Sequence, residues 1–146
     1  MTTPAADFPN SLLERPINNG RKRIDISFDN TAERGFFNRV RQDPFFVCRE
    51  VMIECKNYTH DIENPEIDQL IGRFDHRRGR FGIITCRDIK DKNLLLSRCT
   101  DAFKSQQGAI VILTDSDITD ALLAGPLGRE ARIQDIIQRQ MRAILS

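Results

Sequence analysis

The segment Val51-Met52-Ile53-Glu54-Cys55-Lys56 sets a carboxylate and an ammonium two positions apart inside an apolar run. An extended strand puts residues i and i+2 on one face. Met52, Glu54 and Lys56 would then face one way, and Val51, Ile53 and Cys55 the other. A charged pair at the end of an apolar strand is costly unless each charge has a partner. A divalent cation and a phosphodiester would supply one for each. Asp25 is the second acid of interest. It stands in a stretch where Ile24, Ile26 and Phe28 alternate with Arg23, Asp25 and Ser27, the pattern of a half-buried strand. If the two strands are neighbours, Asp25, Glu54 and Lys56 converge. Two carboxylates at one site repel each other. A Mg2+ or Mn2+ ion removes that repulsion, because hard cations take carboxylate oxygens and keep several waters. Cys55, lying between the two site residues, would offer its backbone carbonyl to the same metal. Such a metal polarises a phosphoryl oxygen and lowers the pKa of a water nucleophile. Lys56 would orient that water or stabilise charge developing on the phosphate.

The elements that must position these groups can be read along the chain. Residues 11–15 read as the end of a short helix stopped by Pro16, and Asn18-Asn19-Gly20 as a turn. A strand over 23–28 is followed by a helix over 31–41, with Phe36, Phe37 and Val40 on its apolar side, ended by Asp43-Pro44. Residues 45–55 read as the central strand, and 60–64 as a polar loop. Asn64 is expected to cap a helix with Pro65 at its first position and Glu66 in its first turn. Ile67, Leu70, Ile71 and Phe74 give that helix a buried face, and residues 77–79 end it. Phe81–Cys86 is short, apolar and β-branched, which suits a strand covered on both faces. A helix over 94–105, broken by Gly108, leads to a buried strand over 109–113. A helix over 117–124 is closed by Gly125-Pro126, and Arg129–Leu145 forms the last helix, with Ile133, Ile136, Ile137, Met141 and Ile144 inward. The alternation of strand and helix in the middle predicts an α/β fold, with a mixed or parallel sheet and helices on both faces.

Composition bounds the function. The chain has 146 residues, 40% hydrophobic and 29% charged, which suits one soluble domain over 11–146 after a flexible lead-in over 1–10. No run of about 18 apolar residues occurs, and residues 1–10 lack the basic and apolar regions of a secretory signal. No membrane association and a cytoplasmic location are expected. Cys48, Cys55, Cys86 and Cys99 form no C-x-x-C pair, which favours reduced core cysteines over zinc ligands or disulfides. A net charge of +1 argues against a strongly basic nucleic-acid binder. Charge is nevertheless clustered in Arg21-Lys22-Arg23 and in Arg73, Arg77, Arg78 and Arg80 around His76. Such patches would hold a phosphate backbone with marked salt dependence.

Asp25 in Arg23-Ile24-Asp25-Ile26, followed by Glu54-Cys55-Lys56 in an apolar strand, resembles the PD-(D/E)xK nuclease superfamily. That group includes restriction endonucleases, Mrr-like enzymes and Holliday-junction resolvases. Gln69 and Arg73 on the following helix are similar to the Gln-containing motif often found after the Lys, and residues 80–86 to the strand that comes next. The residue before Asp25 is Ile24, where the family name has proline. The resemblance runs from about residue 11 to about residue 113. It implies a restriction-endonuclease-like mixed sheet and a metal-dependent DNA phosphodiesterase. Asp25 and Glu54 would ligate Mg2+ or Mn2+, Lys56 would assist catalysis and Gln69 would steady the site. It also implies an acid on the first helix, and Glu14 is the carboxylate in place there.

Other readings of the same residues compete. Glu54 and Lys56 could be a surface pair that protects an edge strand, although the apolar residues around them read as a central strand. Gln69 and Arg73 could be a solvated helix face, or Arg73 could take a phosphate bidentately. Arg77, Arg78 and Arg80 could complement a helix dipole or, with Lys22, contact a DNA backbone. Asp115 and Asp117 form a second acidic pair after a buried strand, where α/β sites occur, and Asp117 reads as a helix cap; His60 and His76 read as surface residues. No element that would read bases in a groove is visible. The expected activity is therefore a low-specificity or structure-selective endonuclease, in defence or DNA repair by resemblance. It would act as a homodimer through the last helix or as part of a larger multidomain protein. The alternative is a catalytically inactive nucleic-acid-binding or protein-interaction module of the same fold.

Overall fold

The computed structural model describes residues 10–14, 24–56, 60–105 and 107–146, with 10–14 and 24–25 described through their backbone. In chain order the elements are β1 (Asn10–Glu14), β2 (Ile24–Asp29), α1 (Gly35–Gln42), β3 (Glu50–Cys55), α2 (Asn64–Ile71), β4 (Phe81–Cys86), α3 (Lys92–Lys104), β5 (Ala109–Thr114), α4 (Asp115–Leu123) and α5 (Arg129–Leu145). The five described strands form one sheet in the order β1-β2-β3-β4-β5. β1–β2 and β2–β3 are antiparallel, whereas β3–β4 and β4–β5 are parallel. Parallel neighbours need a crossover, and α2 and α3 provide the two. The class is therefore α/β with a mixed sheet, and β3 is its middle strand.

Alternation sorts the helices onto two faces. Phe37 of α1 and Ile133 and Ile137 of α5 gather with Val51, Ile53 and Ile83 on one face. Phe36 and Phe37 also meet Phe81 edge to face, with ring centroids 5.4 and 6.5 Å away. On the other face α2 lies over Gly82, where an added Cβ would come within 2.9 Å of Leu70 and 3.2 Å of Phe74. This glycine lets the helix approach the sheet. Every residue of β5 is buried, as expected of a strand covered on both sides. The open edge of β5 is closed by α5. The Ile112 N–H donates to Gln140 Oε1 at 2.8 Å, and Gln140 Nε2 donates to the Ile112 carbonyl at 2.5 Å. Among the described residues no helix is long and apolar enough to cross a membrane.

Four expectations about local structure are corrected. Residues 11–14 are not helical but belong to β1, which pairs with β2 through a register shift between Ser11 and Leu13. So short a segment cannot sustain a helix alone, and the edge of β2 offers it a ladder. The expected strand over 45–55 begins only at Glu50. Asp43 Oδ1 accepts from the N–H groups of Phe45 and Phe46 at 2.8 and 3.0 Å, folding them into a turn. There the Phe45 ring packs on Phe46 and Phe103 at 5.1 and 5.9 Å. The cap of α2 is Glu63, not Asn64, and its N–H donates to Glu66 Oε2 at 3.3 Å. Finally α2 stops at Ile71, well before 77–79. The turn after it is pinned by Asp75 Oδ1, which accepts from the Arg77 and Arg78 N–H groups at 2.9 and 2.7 Å. Gly79, at φ +106, lies so close to the backbone of Val47 and Cys48 that a Cβ would sit 2.5 to 2.7 Å from it. The turn at 18–20 lies outside the described residues.

Candidate active site

Glu54 is completely buried near the carboxyl end of β3. A carboxylate in that position requires positive charge nearby, and two cations provide it. Lys56 Nζ lies 3.5 Å from Glu54 Oε2, and Arg73 Nη2 lies 3.4 Å from Glu54 Oε1. Lys56 is itself buried. Its backbone continues the ladder beyond β3, with its N–H donating to the Thr85 carbonyl of β4 at 2.8 Å. Its ammonium donates to Gln69 Oε1 at 3.3 Å. The Arg73 side chain is 27% exposed, so the guanidinium sits where the site opens to solvent.

Helix and strand periodicities explain why these four groups meet. Two residues along a strand advance about 6.6 Å, and four along a helix about 6 Å. α2 runs back over β3, so Gln69 falls on Lys56 and Arg73 on Glu54. Arg73 follows α2 in a tighter turn, its N–H donating to the Leu70 carbonyl at 3.0 Å, which keeps it near the helical path. Asp25 is the direct cross-strand partner of Glu54 in the β2–β3 ladder. Directly opposed positions lie on one face of a sheet, so the register puts position 25 on the face of Glu54. Cys55 is half-buried and in register with Ile24 on one side and Thr85 on the other.

Other expected site residues fall elsewhere. Glu14 lies on a strand rather than a helix, and its register partner is Ile26, a position of the face opposite to that of 25 and 54. Lys22 and its two arginine neighbours lie outside the described residues. Arg77, Arg78 and Arg80 are exposed, but they flank the beginning of β3 rather than its end. The Glu50 N–H donates to the Arg78 carbonyl at 3.1 Å, and Glu50 precedes Glu54 by four strand residues, about 13 Å. Arg80 also rests over the Phe45 ring at 5.1 Å. Asp117 caps α4 with Thr114: the Asp117 N–H donates to Thr114 Oγ1 at 3.2 Å, and the Thr114 N–H to Asp117 Oδ2 at 3.0 Å. His60 and His76 are exposed. Cys48, Cys55, Cys86 and Cys99 are free. Burial pushes the Cys48 and Cys99 thiols up to about 12 and the Cys86 thiol to about 11, so these three stay protonated near neutral pH.

One supporting residue escaped sequence reasoning. Asp61 follows the site strand and clamps the start of α3, its carboxylate accepting from the Lys90 and Asp91 N–H groups at 2.8 Å each. Its partners lie far away in sequence, so no local pattern marks it. The bond from Lys90, then that from Asp91, holds the Asp61 carboxyl below its ordinary range. A carboxyl depressed in the folded state contributes stability above its unfolded pKa of about 3.9, and that contribution is lost as pH falls through the folded value. Asp61→Ala is expected to lower the melting temperature at pH 7 by a few degrees, and by less at pH 3. Thermal unfolding of both proteins at the two pH values measures this, and an equal gap at both would refute it.

No family model, curated protein or solved structure matches this chain.

Proposed function

We propose that this protein is a divalent-metal-dependent phosphodiesterase acting on DNA, with the restriction-endonuclease-like arrangement that its motifs resemble. The observation that carries this reading is the junction of Glu54 and Lys56 with Gln69 and Arg73 at the end of the middle strand, with position 25 directly opposite Glu54.

The donor set suits Mg2+ or Mn2+. Hard ions of the Mg2+ type take one or two carboxylates and keep their waters. Glu54 is a buried carboxylate that already holds a cationic group, the Arg73 guanidinium, on one oxygen. Asp25, Glu54 and the Cys55 carbonyl would hold the ion. When bound, it supplies Lewis acidity toward a phosphoryl oxygen and an acidified water.

The chain's own residues perform the remaining tasks. Lys56 brings a positive charge that is pre-positioned, since Glu54 and Gln69 fix its ammonium from two sides. Preorganised charge in a site shielded from water is worth more than the same charge in solvent. Gln69 orients Lys56 without competing for its charge. Arg77, Arg78 and Arg80 would contact the nucleic-acid backbone at a distance from the scissile bond.

The test is cleavage of plasmid and of linear single- and double-stranded DNA by purified protein. Phosphodiester cleavage with Mg2+ or Mn2+ is expected, abolished by chelator and restored by added metal. Cleavage that ignores chelator would refute the reading. One observation favours a non-catalytic binding module: both Glu54 oxygens lie within 3.5 Å of a cation, as in a purely architectural ion cluster. Salt-sensitive DNA binding without turnover in either metal would establish that alternative.

A further inference from the structure

We propose that Arg73 is a place-holder for the metal, neutralising Glu54 until a divalent cation displaces its guanidinium, which then becomes available to the substrate phosphate. This inference rests on the metal-dependent reading above and assigns Arg73 a positioning role within that site.

Three observations carry it. First, Glu54 is fully buried, and its two oxygens are served by different cations, Lys56 on Oε2 and Arg73 on Oε1. A buried carboxylate cannot be left without compensation, so a cation arriving at Oε1 must replace the positive charge already there. Second, the two cations differ in exposure. The Lys56 side chain is 1% exposed, whereas that of Arg73 is 27% exposed. Arg73 is the partner nearer to solvent. Third, Arg73 lies just beyond the end of α2, and the Arg78 side chain reaches it, Nη1 donating to the Arg73 carbonyl at 3.4 Å. A guanidinium released there joins a basic surface, and its planar fork suits a phosphate oxygen pair.

The consequence is a coupling between metal and substrate. Before metal binds, Arg73 competes with the cation for Glu54 and weakens metal affinity. A phosphate that engages the released Arg73 removes the competitor and so tightens the metal. By reciprocity, metal tightens the phosphate equally. Hydrolysis would then be restricted to conditions in which both are present.

The test is calorimetric titration of Mn2+ into the purified protein, in parallel with the Mn2+-induced rise in melting temperature. Arg73→Gln removes the competing charge and is expected to bind Mn2+ about tenfold more tightly than the parent. It should also melt lower than the parent without metal and gain more from Mn2+. Arg73→Lys, which keeps a cation, should stay close to parental affinity. Arg142→Gln, an equal charge change on the exposed side of α5, should leave the Mn2+ affinity unaltered. Equal or weaker Mn2+ binding by Arg73→Gln overturns the place-holder role while leaving the metal site standing. A tenfold gain in Arg142→Gln as well overturns it too, since net charge alone would then explain the effect. Absence of Mn2+ binding in every form overturns both this inference and the metal-dependent reading.

Discussion

Lys56→Met is expected to reduce metal-dependent DNA cleavage by about 10²- to 10⁴-fold, the range for loss of a preorganised electrostatic or proton-handling group. Methionine keeps most of the stem volume, so packing against β4 and α2 is preserved. Glu54 retains Arg73 at 3.4 Å, which limits the loss of stability. Metal affinity should hold or improve, because one of the two charges repelling a cation at Glu54 has gone. Single-turnover cleavage alongside Mn2+ titration separates these effects. A variant that binds Mn2+ and still cuts at the parental rate would remove Lys56 from the chemistry.

Glu54→Ala is expected to have the largest effect on stability. It leaves the Lys56 ammonium, 1% exposed, without the carboxylate beside it. Breaking a buried ion pair from one side costs about 3–5 kcal/mol, a fall in melting temperature on the order of 10 °C for a chain of this size. The double variant Glu54→Met with Lys56→Met removes both charges at similar volume. Such replacements are often neutral or stabilising, so it should recover most of the lost stability and none of the cleavage. Thermal unfolding of the parent, Glu54→Met, Lys56→Met and the double variant forms a complete cycle. If the double variant is as unstable as Glu54→Ala, the pair does more for the architecture than this account allows.

Much of the α/β frame was legible because its parts have strong local signatures. β4 and α5 match their expected boundaries, since one is an uninterrupted apolar run and the other a long amphipathic repeat. Alternation in the two segments marked Asp25 and Glu54 as acids on polar strand faces, whereas the adjacency that sets them opposite each other was a condition no local pattern supplied. What failed was decided by distant contacts. Residues 10–14 took their conformation from the edge of β2, which no window of that length contains. Phe45 and Phe46 look like strand residues by type. They were drawn into a turn by the Asp43 carboxylate and by Phe103, over fifty positions away. The same limit applies at the site. Gln69 and Arg73 were legible as a spaced pair, but the direct contact of Arg73 with Glu54 depended on the path of α2 across the sheet. The arginines at 77–80 looked like neighbours of the site because they are near it in sequence. The turn pinned by Asp75 carries their backbone toward the beginning of β3 instead, with the Arg78 side chain reaching back to the Arg73 carbonyl at 3.4 Å.

The amide of Gln140, set against Ile112 from both sides of its peptide unit, does what a sixth strand would do. It terminates growth of the sheet at β5 with a single side chain, while the apolar stripe of α5 is spent on the chain's own interior, with Ile137, Met141 and Ile144 buried. Two copies working on the two strands of a duplex could therefore not unite by extending the sheet past β5 or by pairing their terminal helices through that stripe. Any such union would have to recruit a different part of the molecule, and among the described residues β1 forms the other margin of the sheet.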